Sequence, residues 1–307
     1  MNKFHDLKLT AHSWFKSSSV SSPFSIRKSV LYIYFVIFMS CFNNAYASEK
    51  IEKKQNSPRD ILTKLRGGDY AHAGDKEAID FVLAKLASHK EKIENGNILD
   101  LGSGYGGTAD YLYKKGFRKI WGIDHDKNAV KYASSHYKAI KFFPTDAMNL
   151  TERFRKDFFS FVYMFNVAYA IPDKASLIRN ISKTSEPGAI LAVFDYSKLK
   201  DHVPTSKKDK PEIMKDLAGN IMHPIEVAKF NSILKKQGWK ILISEDISKE
   251  YIDWYEKFLQ TIISQRTELL KMHKGKDIEK LANLFNRILF NLKNGSLGGC
   301  LIIAEKL

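Results

Sequence analysis

The run Asp100-Leu101-Gly102-Ser103-Gly104-Tyr105-Gly106 sets a carboxylate at the end of a short apolar segment and follows it at once with a glycine-rich turn. Glycines in such a turn let a ligand come close to the backbone. The unpaired N–H groups of a helix beginning near Ala109 suit a polar ligand. About twenty residues beyond the glycines a second apolar segment, Lys119 to Ile123, ends in Asp124, where a carboxylate can accept from a pair of vicinal hydroxyls. A third, Ile140 to Phe143, runs into Pro144-Thr145-Asp146-Ala147, and a fourth, Phe159 to Phe165, ends in Asn166. Ligands of open α/β sheets bind beyond the carboxyl ends of the strands, where these residues fall.

The pattern Asp-x-Gly-x-Gly-x-Gly resembles motif I of the class I S-adenosylmethionine-dependent methyltransferases. That resemblance covers roughly residues 66 to 307 and implies S-adenosylmethionine as cofactor. Asp100, Gly102, Ser103, Gly104 and Gly106 would hold its methionine part, Asp124 with His125 its ribose, and Asp146 with Ala147 its adenine. The segments Ser160 to Lys174, Pro187 to Tyr196 and Asn294 to Gly299 more narrowly resemble small-molecule N-methyltransferases of the glycine, sarcosine, dimethylglycine and phosphoethanolamine types. In those enzymes the fourth strand ends in an Asp that helps hold the cofactor, and a His follows four residues later, near the acceptor. Here Asn166 and Ala170 stand at those places. Asn166 can still bond a methionine amino or carboxylate group, but Ala170 removes the imidazole.

Methyl transfer from a sulfonium is an in-line displacement helped mainly by proximity and orientation, and an amine acceptor must be unprotonated when it attacks. Tyr70 and His72, in a loop with glycines at both ends, and Tyr169 are the candidate catalytic groups. Tyr196, Trp254 and Tyr255 are the candidate substrate contacts, the aromatics being able to enclose a methylated ammonium. The expected function is methyl transfer to a small-molecule acceptor, an amine nitrogen first. The alternative is an exported, non-catalytic or macromolecule-directed S-adenosylmethionine-binding protein.

The alternation of apolar strands with amphipathic segments implies an α/β fold, a Rossmann-like, doubly wound, mostly parallel sheet. The family adds seven strands, the last antiparallel, with a helical cap. Expected helices are Arg59 to Leu65, Ala78 to Leu86, Asn128 to Tyr137, one opened by His223-Pro224-Ile225-Glu226, and two within Glu250 to Leu292 that part near Gly275. Pro187-Gly188 reads as a turn introducing a fifth strand over Ala189 to Phe194.

Residues 1–47 read as a secretory signal: Arg27-Lys28, an apolar core from Val30, and Ala45-Tyr46-Ala47 before the cut. Residues 48–90 would be a linker and helical lid, and 91–307 the methyltransferase domain, with a helical insertion around 250–292. The mature protein would then be periplasmic or secreted, without a stable membrane span, and cytoplasmic if the signal is unused. The net charge of +15 is spread among carboxylates, which argues against a nucleic-acid groove. The scattered histidines and two cysteines have no metal-ligand spacing, so no metal is expected.

Overall fold

The computed structural model describes residues 58–199, 215 and 221–307. The proposed signal and most of the polar segment after residue 199 lie outside the described residues. The segment expected as the lid, within residues 48–90, holds α1 (Pro58–Arg66) and the loop that leads to α2 (Asp75–Lys85). After α3 (Lys90–Asn95) come β1 (Ile98–Leu101), α4 (Gly107–Lys114), β2 (Ile120–Asp124), α5 (Lys127–His136), β3 (Lys141–Pro144), α6 (Leu150–Arg153) and β4 (Phe159–Phe165). The second half holds α7 (Lys174–Thr184), β5 (Ser185–Ser197), α8 (Val227–Lys236) and β6 (Trp239–Asp246). The cap, α9 (Ser248–Ser264), α10 (Arg266–Leu270) and α11 (Gly275–Lys293), precedes β7 (Gly298–Lys306).

The strands form one seven-stranded sheet in the order β3-β2-β1-β4-β5-β7-β6. All neighbours pair in parallel except β7, which runs antiparallel to both β5 and β6. Because β1, β4 and the 189–194 part of β5 are apolar at nearly every position, both faces of the sheet must be covered. Alternation divides the side chains: Ile98, Phe161, Tyr163, Ile190 and Phe194 join one core with the lid and cap, while Leu99, Val162, Met164, Leu191 and Val193 join the other. The winding reverses between β1 and β4, and the crevice beyond the strands' carboxyl ends at such a switch point is where ligands bind.

Three local expectations are corrected. Pro187-Gly188 lies inside β5, with Gly188 at φ 74°, where the register on β4 shifts between Phe159 and Phe161. Pairing with β7 from Ile190 to Ser197 lengthens the strand beyond Phe194. Helix α8 starts only at Val227, because buried Ile225 is bridged to Ser197 and donates its N–H to the Tyr196 carbonyl, 2.9 Å away. The cap has a third short helix, α10, between the two expected ones.

Candidate active site

The turn after β1 is held by its own backbone. The N–H groups of Gly102 and Ser103 both donate to the Ile123 carbonyl at 2.8 Å, tying the turn to β2. Gly102 (φ 78°) passes so close to β4's end that a Cβ would lie 2.4 Å from Val167, whereas a Cβ on Gly104 (φ 50°) would meet nothing within 4 Å. The turn is thus packed below and open above Gly104.

Asp100 lies beneath it, 3% exposed, and burial raises its carboxyl to about 7. Tyr163, its register partner on β4, offsets part of that rise, yet neither Asp100 Oδ2 nor the Tyr163 hydroxyl makes a well-formed hydrogen bond. The buried Ser103 hydroxyl is likewise unpartnered. Asp124 accepts the Gly104 N–H on Oδ2 and the Asp126 N–H on Oδ1, both at 2.8 Å, so β2 fixes the turn a second time. His125 is exposed, with Nδ1 3.4 Å from Asp124 Oδ1. Asp146 is exposed and accepts the Met148 N–H at 2.8 Å, and half-buried Ala147 opens the short turn it caps.

The lid lies on this turn. A Cβ on Gly107 would stand 2.5 Å from the Asp69 carbonyl carbon. The Asp69 carboxylate accepts from the Thr63 hydroxyl at 3.2 Å, the Tyr132 hydroxyl at 3.4 Å and the Tyr137 hydroxyl. Tyr70 is buried edge-on to Tyr111, and burial pushes its phenol well up. His72 is buried 4.8 Å from the Phe165 ring, with Nδ1 3.0 Å from the Ala73 carbonyl and Nε2 3.1 Å from the Thr108 hydroxyl. A carbonyl can only accept, so the ring proton sits on Nδ1 and Nε2 presents its lone pair. Burial lowers this imidazole to about 3, keeping it neutral.

Asn166 joins lid to cap. At φ 53° it accepts the Ala73 N–H on Oδ1 and donates from Nδ2 to the Tyr251 hydroxyl, both at 3.0 Å. Tyr169 packs edge-on to Tyr196, rings 5.3 Å apart. The buried hydroxyls of Tyr196 and Tyr255 are bonded to each other, and the Tyr255 phenol is pushed up to about 12. Trp254 Nε1 donates to Glu77 at 3.1 Å. His72, Asn166, Tyr169, Tyr196 and Tyr255 therefore belong to one cluster at the ends of β4 and β5, while His125 and Asp146 lie outside it, beyond β2 and β3.

Sequence reasoning passed over Asp195, Tyr251, Asp69 and Arg66. Asp195, fully buried, accepts the N–H groups of Val167 (3.0 Å), Tyr169 (3.3 Å) and Tyr196 (2.7 Å), and so shapes the turn after β4. Burial raises its carboxyl to about 6. Its signal was a lone carboxylate closing the apolar run of β5.

A methyltransferase domain family matches residues 70–244. The chain is 24% identical over 247 residues to phosphoethanolamine N-methyltransferase 1 of Zea mays, covering 79% of this chain and 47% of that enzyme. It is 24% identical over 249 residues to the phosphoethanolamine N-methyltransferase of Plasmodium falciparum, covering 80% and 87%. The chain thus spans about half the length of the maize enzyme and most of the Plasmodium one. In three dimensions it is similar to a chain assigned as a sarcosine dimethylglycine methyltransferase from Galdieria sulphuraria (TM-score 0.67, 17% identity, 81% and 98% covered). A second similar structure is Haemonchus contortus phosphoethanolamine N-methyltransferase 2 with phosphomonomethylethanolamine and S-adenosylhomocysteine (TM-score 0.70, 16% identity, 83% and 59% covered).

Proposed function

We propose that this chain, which belongs to the methyltransferase domain family, is an S-adenosylmethionine-dependent methyltransferase that methylates a small molecule on an amine nitrogen. The observation that carries the acceptor reading is the cluster of His72, Asn166, Tyr169, Tyr196 and Tyr255 between lid, strand ends and cap, on a chain similar to phosphoethanolamine enzymes over about four-fifths of its length. The expectation of a non-catalytic or macromolecule-directed protein gains no support from these relatives.

The residues present fit the cofactor. Asp100 Oδ2 and the Ser103 hydroxyl are buried without partners, and the space above Gly104 is open. Asp100 would receive the methionine ammonium across the glycine turn, whose Gly102, Ser103, Gly104 and Gly106 N–H groups are donated within the protein and so hold the turn's shape for the ligand. Asp124, whose oxygens each keep a second lone pair, would receive the ribose hydroxyls, with His125 beside it. Asp146 and Ala147 would meet the adenine. S-adenosylmethionine supplies a methyl group made electrophilic by its sulfonium.

The chain's own work is to orient the acceptor and exclude water. Asn166 and Asp195 fix the β4 and β5 ends, where Tyr169 packs on Tyr196 and the Tyr196 and Tyr255 hydroxyls bond to each other. Lid and cap close over these strand ends. His72 positions the site rather than taking the amine proton: neutral and held as one tautomer, it donates from Nδ1 to the Ala73 carbonyl and accepts the Thr108 hydroxyl on Nε2, fixing the loop that meets Asn166 at the end of β4. Residues 48–90 act as linker and lid and 1–47 as an export signal; amino-terminal sequencing of exported protein would start at Ser48.

Full-length chain would be incubated with methyl-labelled S-adenosylmethionine and a panel of small amines, with mass spectrometry of the products. Methylated amine should form in step with S-adenosylhomocysteine, and His72→Asn, which frees the loop that meets Asn166, should lower turnover about 100-fold. Label found only on carbon or oxygen acceptors, or an undiminished His72→Asn rate, would contradict the reading.

A further inference from the structure

The last helix of the cap, α11, is two-sided. Ile278, Leu281, Phe285, Ile288 and Leu292 are buried in the core, and the opposite face carries Lys276, Lys280, Asn283, Arg287 and Phe290, all exposed. The helical repeat sets Lys276, Lys280 and Arg287 in one row about 17 Å long, with Asn283 and Phe290 beside it.

Apolar groups stand at both ends of this face. Phe290 is 62% exposed at one end, and Leu270 (46%) and Met272 (49%) precede the helix at the other. Contact places Leu270 there: its Cδ2 lies 3.5 Å from where a Cβ on Gly275, the first residue of α11, would stand.

The charges on this face are not balanced. Glu268 is taken up by Lys271 at 2.6 Å and Glu279 by Arg266 at 3.1 Å. Among the described residues no carboxylate pairs with Lys274, Lys276, Lys280 or Arg287. A second copy of the chain would oppose these cations with the same cations, and like charges face to face are repelled. Nucleic-acid phosphates would match the row but offer Leu270, Met272 and Phe290 nothing apolar to enter. The surface of a bilayer with anionic headgroups meets both needs, phosphates for the row and the acyl boundary for the apolar ends.

We propose that the outer face of α11, with Leu270 and Met272 before it, docks the protein on an anionic lipid bilayer. The docking is peripheral, since no helix among the described residues is long and apolar enough to cross a membrane. It is independent of the acceptor reading, because the residues of the site at the strand ends take no part in it.

The test is co-sedimentation of full-length chain with vesicles of phosphatidylcholine alone and of phosphatidylcholine with about one-third phosphatidylglycerol. Each Lys or Arg at an anionic surface contributes roughly fivefold to binding, so wild-type protein should prefer the anionic vesicles by about 100-fold or more, and lose that preference in about 0.5 M salt. The variant Lys276→Gln/Lys280→Gln/Arg287→Gln should bind anionic vesicles about 100-fold more weakly and neutral ones as before. A control with three exposed lysines of α8 and β6 changed, Lys235→Gln/Lys236→Gln/Lys240→Gln, should lose less than about threefold. Phe290→Ser should weaken binding to both vesicles about tenfold while keeping their ratio. Binding by the apolar segment from Val30 is common to all these proteins and cancels from the comparisons. If the triple variant fails to fold, Lys280→Glu alone should lose about tenfold or more on anionic vesicles. Equal wild-type binding to the two vesicles, an unchanged preference in the α11 variant, an equal loss in the control, or wild-type behaviour of Phe290→Ser overturns the proposal. A short DNA duplex bound more tightly than anionic vesicles, and released by the α11 variant, would assign the row to nucleic acid and overturn it as well.

Discussion

Asp100 shows how a functional residue is held at a cost in stability. Its folded carboxyl titrates near 7, above the ordinary carboxylate range, so the unfolded chain gives up its proton first. The folded form then binds more protons than the unfolded one between roughly pH 4 and 7, and stability falls as pH rises through that window. Asp100→Asn should therefore melt about 5 °C higher than wild type at pH 8 without cofactor, with the gap closing near pH 4. The same variant should bind S-adenosylhomocysteine at least tenfold more weakly. Thermal melts at the two pH values check the first part; equal melting at pH 8 would mean that burial does not strain this carboxylate. His72 works in the opposite sense, since an imidazole lowered to about 3 costs stability as pH drops below its ordinary range.

Residues acting through local spacing were legible in the sequence, and those acting through distant contacts were not. The Asp100-to-Gly106 turn and Asp124 follow from strand-turn-helix order over about twenty-five residues. Nothing near Asn166 in the chain indicates that its amide spans from Ala73 to Tyr251, because those partners lie 93 and 85 residues away. Arg66 reads as the basic end of a short helix, and only packing against Phe258 and Phe285 buries it.

At the scale of elements, the loop between α1 and α2, expected as the lid, ties the parts of the site together. It touches the glycine turn at Gly107, α5 through Asp69 and Tyr137, and β4 through Asn166. Gly107→Ala would drive a methyl group into the Asp69 carbonyl, a contact that neither backbone can absorb in place. The lid loop, residues 67–74, should then exchange its amide hydrogens at least tenfold faster, while β1 and β4 remain protected. Unchanged exchange in that loop would show that the lid does not rest on Gly107. Strand β5 and helix α8 make the same point about legibility. Periodicity located both, but their ends were set by β7 and by the Ser197–Ile225 bridge, which no local pattern contains.

At the scale of the molecule, the antiparallel β7 lies between β5 and the edge strand β6 and follows the cap in the chain, so the site is built from parts far apart in sequence. Lid residues 58–74, strand ends 166 and 195–196, and cap residues 251–258 meet in one place. The doubly wound sheet and the glycine turn could be anticipated because the winding of such a sheet is governed by a few rules, whereas the strand order was not read from the sequence. The cap could be anticipated only as amphipathic helices; which face met the lid had no counterpart in the pattern.

The central claim is that the turn after β1, clamped by Asp124, is where S-adenosylmethionine binds. Calorimetric titration of full-length wild type and Asp124→Ala with S-adenosylhomocysteine tests it most directly. The account predicts saturable, one-to-one binding to wild type and at least 30-fold weaker binding to a variant still folded by circular dichroism. Equal affinity in the two proteins, or no binding to folded wild type, would contradict it.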